Sequence, residues 1–107
     1  LRILPQNSRS AAYTIQLSDS GKHILHPSAD TTARTILFES NSFTIGTAIT
    51  IVNQNGAGVI TIAPDIGVTI RLAGAGTTGD RTLAANGVAT ALYIANDQWI
   101  ISGTGLT

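Results

Sequence analysis

The chain has 107 residues, enough for one domain with one core. Hydrophobic residues make up 43% of it and charged residues only 11%, against roughly 25% charged in an average globular domain. Six basic and six acidic side chains cancel, so the chain has no electrostatic pull toward nucleic acid or an anionic membrane surface. Cysteine and methionine are both absent, which excludes disulfides, thiolate nucleophiles and thiolate metal ligands.

The first twelve residues, LRILPQNSRSAA, contain Pro5 and small polar residues without a sustained period, and they read as a linker or docking arm over 1–12. Leu1 in place of an initiating methionine is expected of a fragment or a processed chain. No basic-then-apolar opening looks like a secretion signal, and no apolar run approaches the roughly 20 residues that span a bilayer.

From Tyr13 the pattern takes period two, as a half-buried strand requires: Tyr13, Ile15 and Leu17 alternate with Thr14 and Gln16. Asp19-Ser20-Gly21 marks a turn, Lys22 to Leu25 a short strand, and Pro27 with Ser28 to Thr32 a polar break. Arg34 to Phe38 and Phe43 to Ile45 flank a turn at Ser40-Asn41-Ser42. Ala48 to Asn53 and Val59 to Ala63 are alternating β-branched runs on either side of Asn55-Gly56, the strongest hairpin signal in the chain. After the turn Pro64 to Gly67, Val68, Ile70 and Leu72 alternate with Thr69 and Arg71. A glycine-rich loop, Ala73 to Gly79, leads to Arg81 to Ala84, and Asn86-Gly87 makes a second Asn-Gly turn. Val88 to Ala95 is the longest strand, with Val88, Leu92 and Ile94 on one face and Ala89, Ala91, Tyr93 and Ala95 on the other. Asn96-Asp97 turns the chain into Gln98 to Ser102, where Trp99 and Ile101 share a face.

About eight short strands, with a turn signal roughly every ten residues and no helical stripe, predict an all-β domain over 13–107. The expected architecture is an antiparallel β-sandwich or jelly roll.

Several phrases are similar to segments of tailed-bacteriophage virion structural proteins. They are Ile45 to Asn53, Gly56 to Ala63 (GAGVITIA), Arg71 to Gly79 (RLAGAGTTG), Arg81 to Leu92 (RTLAANGVATAL) and Trp99 to Leu106. Tyr13 to Arg34, with LSDSGKHILHPSADTTAR, has the same look. The resemblance implies a domain of a tail fibre, head fibre or other appendage, part of the extracellular particle and usually a homotrimer. It also implies other virion proteins as partners, joined through the N-terminal segment, and attachment to a host-surface glycan as a secondary role. The resemblance brings no catalytic motif. A carbohydrate-binding module and a bacterial surface adhesin domain are the alternatives.

No constellation of catalytic, cofactor-binding or metal-ligating residues emerges. Gly74 to Gly79 matches G-x-G-x-x-G after a strand, but Asp80 to Gly87 is too short for the helix that would receive a pyrophosphate. His23 and His26 are three apart and fall on opposite faces of a strand, with Asp19 and Asp30 within reach along the chain. Ser20, His23 and Asp19 have no nucleophile elbow around them and are too local to build an oxyanion hole. Each of the six acids lies in or beside a turn, so no pair faces one cleft. Tyr93 and Trp99 are candidates for stacking on sugar, with Asp80 and Arg81 as a candidate polar rim. Trp99 is expected rather in a core or a subunit interface.

Overall fold

The computed structural model describes residues 3–54 and 58–107. Nine strands and one short 3-10 turn, Leu17–Asp19, account for its regular structure. The strands are β1 (Gln6–Ser8), β2 (Tyr13–Thr14), β3 (His23–His26), β4 (Arg34–Phe38), β5 (Ala48–Asn53), β6 (Ile60–Pro64), β7 (Thr69–Leu72), β8 (Arg81–Ala95) and β9 (Gln98–Leu106). The all-β expectation is met.

The arrangement is a β-solenoid-like stack and not a sandwich or jelly roll. Strands β1, β3 and β5 pair in parallel to form one wall, and β2, β4 and β6 pair in parallel to form another. The chain winds from wall to wall, so each strand stacks on the one two places earlier. Period-two alternation cannot distinguish this from a meander, because a residue points inward on either path. Asn55 and Gly56 lie outside the described residues, but the strands flanking them, β5 and β6, do not pair with each other. Each pairs instead with β8. β5 and β6 therefore do not form the hairpin expected of them, and each belongs to a different wall.

β8 closes the stack. Arg81 to Leu83 pair antiparallel with β6, and Val88 to Leu92 pair antiparallel with β5. Asn86, with φ of 61°, bends the strand from one wall to the other. The second Asn-Gly signal thus marks a kink inside one long strand rather than a turn between two. β9 then runs antiparallel along β8 and carries β7 on its far side. The first wall therefore reads β1-β3-β5-β8-β9-β7.

Inward positions stack in register. Ile24 lies beside Ile51 and Ile51 beside Ala89, while Ile49, Ala91 and Ile101 form the next row. Ile36 and Ile62 pair on the second wall, as do Ile60 and Leu83. All of these are buried. At the end of this core Trp99 meets Phe38, Phe43 and Tyr93 at ring-centroid distances of 5.0, 5.0 and 4.9 Å, all edge-on. Phe43 belongs to an irregular connection rather than to the strand expected over Phe43–Ile45, and Gly46 N–H donates to the Tyr93 carbonyl at 2.8 Å to hold that connection down.

Within the segment read as a linker or docking arm, residues 5–9 belong to the stack. Pro5 to Arg9 run along β3, with His23 N–H donating to the Pro5 carbonyl (3.0 Å) and Arg9 N–H to the Leu25 carbonyl (2.8 Å). This strand escaped the period-two reading because it is three residues long and its inward residue is the polar Asn7.

Two substitutions test the closing hairpin. A Cβ at Gly103 would sit 2.1 Å from the Val88 carbonyl oxygen and 2.6 Å from Ala89 Cα. Both obstacles are backbone, so Gly103→Ala should part β8 from β9 and cost about 1–3 kcal/mol in denaturant unfolding. Trp99→Ala should cost about 3–5 kcal/mol, a large share of a small domain's stability, and lower the melting temperature sharply. Unchanged unfolding midpoints would show that neither contact holds the hairpin.

Candidate functional site

Two polar clusters lie at the corners of the stack, and each ties sequence-distant segments together. In the first, the buried Asp19 carboxylate accepts from Tyr13 Oη (2.6 Å), Asn7 Nδ2 (2.9 Å) and the Gln16 amide (2.8 Å). Asn7 Nδ2 also donates to Tyr13 Oη at 3.0 Å, and Arg9 Nε donates to Asn7 Oδ1 at 2.8 Å. The Arg9 guanidinium lies 4.4 Å from the Tyr13 ring centroid, within cation–π range. Burial and then the neighbouring Asp19 carboxylate push the Tyr13 hydroxyl pKa upward, so it remains a donor. This cluster closes the β1–β2 end of the core with satisfied polar groups.

The second cluster spans the corner between β3 and β4. Buried His26 donates through Nε2 to Asp30 Oδ2 at 3.0 Å, and Arg34 Nε donates to the same oxygen at 2.9 Å. The Thr32 amide donates to Asp30 Oδ1 at 3.2 Å. The Arg34 hydrogen bond chiefly holds the Asp30 carboxyl down to about 2 from its ordinary 3.8. His26 stacks in register on Asn53, whose amide donates to the carbonyls of Gly58, Leu83 and Ala84. Neither cluster points a free group into a cavity, and no pocket forms among the described residues.

The residues singled out from the sequence are dispersed. Tyr93 and Trp99 form a cross-strand pair, but they are 2% and 1% exposed and sealed among Phe38 and Phe43. Neither ring offers a face to a sugar, so the stacking platform is corrected to a core contact, and the Tyr93 hydroxyl accepts from the Asp97 amide at 2.7 Å. Asp80 and Arg81 stand where β8 begins; Arg81 donates to the Asp80 carbonyl (2.8 Å) and to Thr77 Oγ1 (3.0 Å). The rim they were to form therefore has no platform beside it.

The glycine loop folds back on β7: Gly76 N–H donates to the Leu72 carbonyl (2.9 Å) and Gly79 N–H to the Ile70 carbonyl (3.1 Å). Strand β8 follows it directly. His23 and His26 do lie on opposite faces, His23 taking up Gln6 and the Leu4 carbonyl. Asp30 answers His26, and Asp19 answers Tyr13 and Asn7 rather than either histidine. Ser20 donates to the Leu17 carbonyl, so Ser20, His23 and Asp19 make no chain of hydrogen bonds. Among the described residues no three His, Asp or Glu side chains gather to hold a metal, and no helix is long and apolar enough to cross a membrane.

What the fold does present is broad β-surface. On the outside of the first wall Gln6, His23, Thr50, Thr90 and Ser102 line up strand by strand, and Thr50 and Thr90 share a hydrogen bond of 3.1 Å. Leu25, Val52 and Val88 make the row on one side of this line, and Ala48, Leu92 and Ile100 the row on the other. On the outside of the second wall Thr35, Thr61 and Thr82 line up in the same way. Sequence alternation marks the outward residues, but only the pairing order shows which of them adjoin.

The Asp30 corner gives a pH test. Because its folded pKa lies below the unfolded value, its contribution to stability is present above pH 3.8 and is lost as pH falls toward 2. Wild type should lose stability through that interval. Asp30→Asn should show a smaller change there and a lower plateau at neutral pH, since it leaves buried His26 and Arg34 without their carboxylate. Identical acid profiles would show that the corner does not bear on folding. No family model, curated protein or solved structure matches this chain.

Proposed function

We propose that this chain is a structural domain of a tailed-phage virion, set in a fibre or appendage and working as a homotrimer. The observation that carries this is the kind of surface the fold builds. Its walls offer long rows of uncharged residues, and its polar clusters are bonded to one another rather than aimed at a substrate. A wound stack extends along one axis, each coil held by its neighbours, which suits a load-bearing part outside the cell. Backbone ladders and apolar stacking hold it without disulfides. The resemblance of its phrases to those of virion proteins points the same way.

In this reading the joint to other virion proteins involves the exposed outer edge of β1 rather than a flexible arm, since Gln6–Ser8 already belong to the stack. Host-surface attachment is a secondary role, with no aromatic platform to serve it. The burial of Trp99 and Tyr93 weighs in the same way against a carbohydrate-binding module.

Two measurements test the proposal. Light scattering on the purified domain at micromolar concentration should give three times the 11.0 kDa chain mass. An antibody against the domain should decorate intact phage particles in electron microscopy. A clean monomer with undecorated particles would overturn it.

A further inference from the structure

We propose that residues 5–20, the first coil of the stack, form a cap that opens as one body about Gly21 while the rest of the fold stays closed. The bonds inside this coil differ in kind from those that hold it down. Asn7, Arg9, Tyr13, Gln16 and Asp19, the members of the first polar cluster, all lie within the coil. The cluster therefore ties β1, β2 and the 3-10 turn to one another. Among the described residues none of its hydrogen bonds reaches the second coil. The buried Asp19 carboxylate thus makes the coil rigid without fastening it to the stack.

What fastens the coil is slight. β1 and β2 are three and two residues long, and they meet the stack through β3 and β4 respectively. At the ladder ends His23 N–H donates to the Pro5 carbonyl (3.0 Å), Arg9 N–H to the Leu25 carbonyl (2.8 Å) and Ile15 N–H to the Leu37 carbonyl (2.9 Å). The His23 ring adds contacts to Gln6 Nε2 at 3.2 Å and to the Leu4 carbonyl at 3.1 Å, both exposed to water. Ile15 is the coil's buried apolar residue, with Tyr13 packed against the edge of the core, whereas the core from Ile24 onward runs through every later strand. A unit with few buried apolar contacts and water-exposed bonds opens before the body it rests on. The chain leaves the coil through Ser20-Gly21. Gly21 has a φ of 75°, and nothing lies within 4 Å of where a Cβ would stand. Its amide donates to the Ala48 carbonyl of β5 at 3.3 Å, so the fixed part of the fold begins there. Opening frees the backbone edges of β3 and β4 and uncovers Ile24 and Ile36, which lie in register with Asn7 and Tyr13.

Native-state hydrogen exchange on the whole chain, read amide by amide, tests this. Arg9 and Ile15 bond to different walls, so a single opening gives their amides one shared equilibrium. Their protection should agree within about twofold and fall at least tenfold or so below that of Ala89 to Leu92 in β8. Ile101→Val trims a core contact that the closed and open forms both keep. It should speed exchange at Ala89 to Leu92 about three- to tenfold and leave Arg9 and Ile15 unchanged. If Arg9 and Ile15 speed up by the same factor, the coil opens only with the whole fold and the cap is overturned. A second measurement tests whether the coil moves as one body. The chain has no cysteine, so Ser8→Cys with Leu25→Cys, register partners on β1 and β3, supplies a single disulfide. Neighbouring strands stand about 4.8 Å apart, within disulfide reach. Oxidation pins the coil on the first wall and should slow exchange at Ile15, on the second wall, roughly tenfold relative to the reduced form. Exchange at Ile15 that ignores oxidation would show the two ladders parting independently, and the single body falls.

Discussion

Among the described residues β8 is the one strand hydrogen-bonded to both walls, and the closure of the stack depends on its crossing from one to the other. A strand cannot bend sharply between sheets while every residue keeps extended angles, so one residue must leave the β region. Asn86 takes the left-handed conformation at that place, and Gly87 next to it accommodates the crowding. A Cβ on Gly87 would come within 2.7 Å of Leu83 Cδ1 and 2.8 Å of the Ala84 carbonyl oxygen. The Asn-Gly pair is thus a corner device. Once β8 has crossed, β5 and β6 both gain antiparallel partners, and β9 can lie along β8 to bring Trp99 over the aromatic end of the core.

Much of the strand content was legible from residue alternation. Arg34–Phe38 and Ala48–Asn53 appear with the limits read from sequence, and of the inward set Ala89, Ala91, Tyr93, Trp99 and Ile101 are buried as the pattern implies, while Ala95 at the strand end is half-buried. The path of the chain was not legible, for a physical reason. Turn residues declare that the chain changes direction without declaring whether it returns beside the strand it left or crosses to an opposite wall. The coils are also unequal: Gln6 stacks on His23 and His23 on Thr50, with different numbers of residues between. No fixed repeat therefore emerges in the sequence to announce a solenoid.

The corner clusters escaped sequence reading for a related reason. Asp19 and Asp30 sit in turns, where an acid is ordinarily solvated, yet one is buried and the other is bonded by a histidine and an arginine. His26 and Arg34 flank Asp30 at equal steps of four, a spacing that on a helix would suggest an ion-pair row. Here it works because Asp30 lies in the connection between β3 and β4, and the two strand ends place their side chains around it. Tyr13 and Asn7 meet Asp19 only because the first coil turns back on itself, a contact that no local pattern announces.

These polar clusters also explain how a stack can end without exposing its interior. A coil whose inward residues were all aliphatic would leave an open apolar end and invite a further coil. At the first coil the inward position of β1 is Asn7 instead, bonded to Tyr13 and Asp19, with Arg9 lying over the tyrosine ring. Because every partner in the network is satisfied, its burial avoids the desolvation penalty that an unpaired group would carry. The end strands β1 and β2 are only three and two residues long, so the unpaired backbone they offer is brief and a poor template for uncontrolled growth. At the opposite end the long β8–β9 pair covers the core with an antiparallel ladder that shifts register between Leu83 and Val88 and between Tyr93 and Ala95. The stack is therefore closed at one end by hydrogen-bonded side chains and at the other by backbone, and its broad β-surface lies along the walls between them.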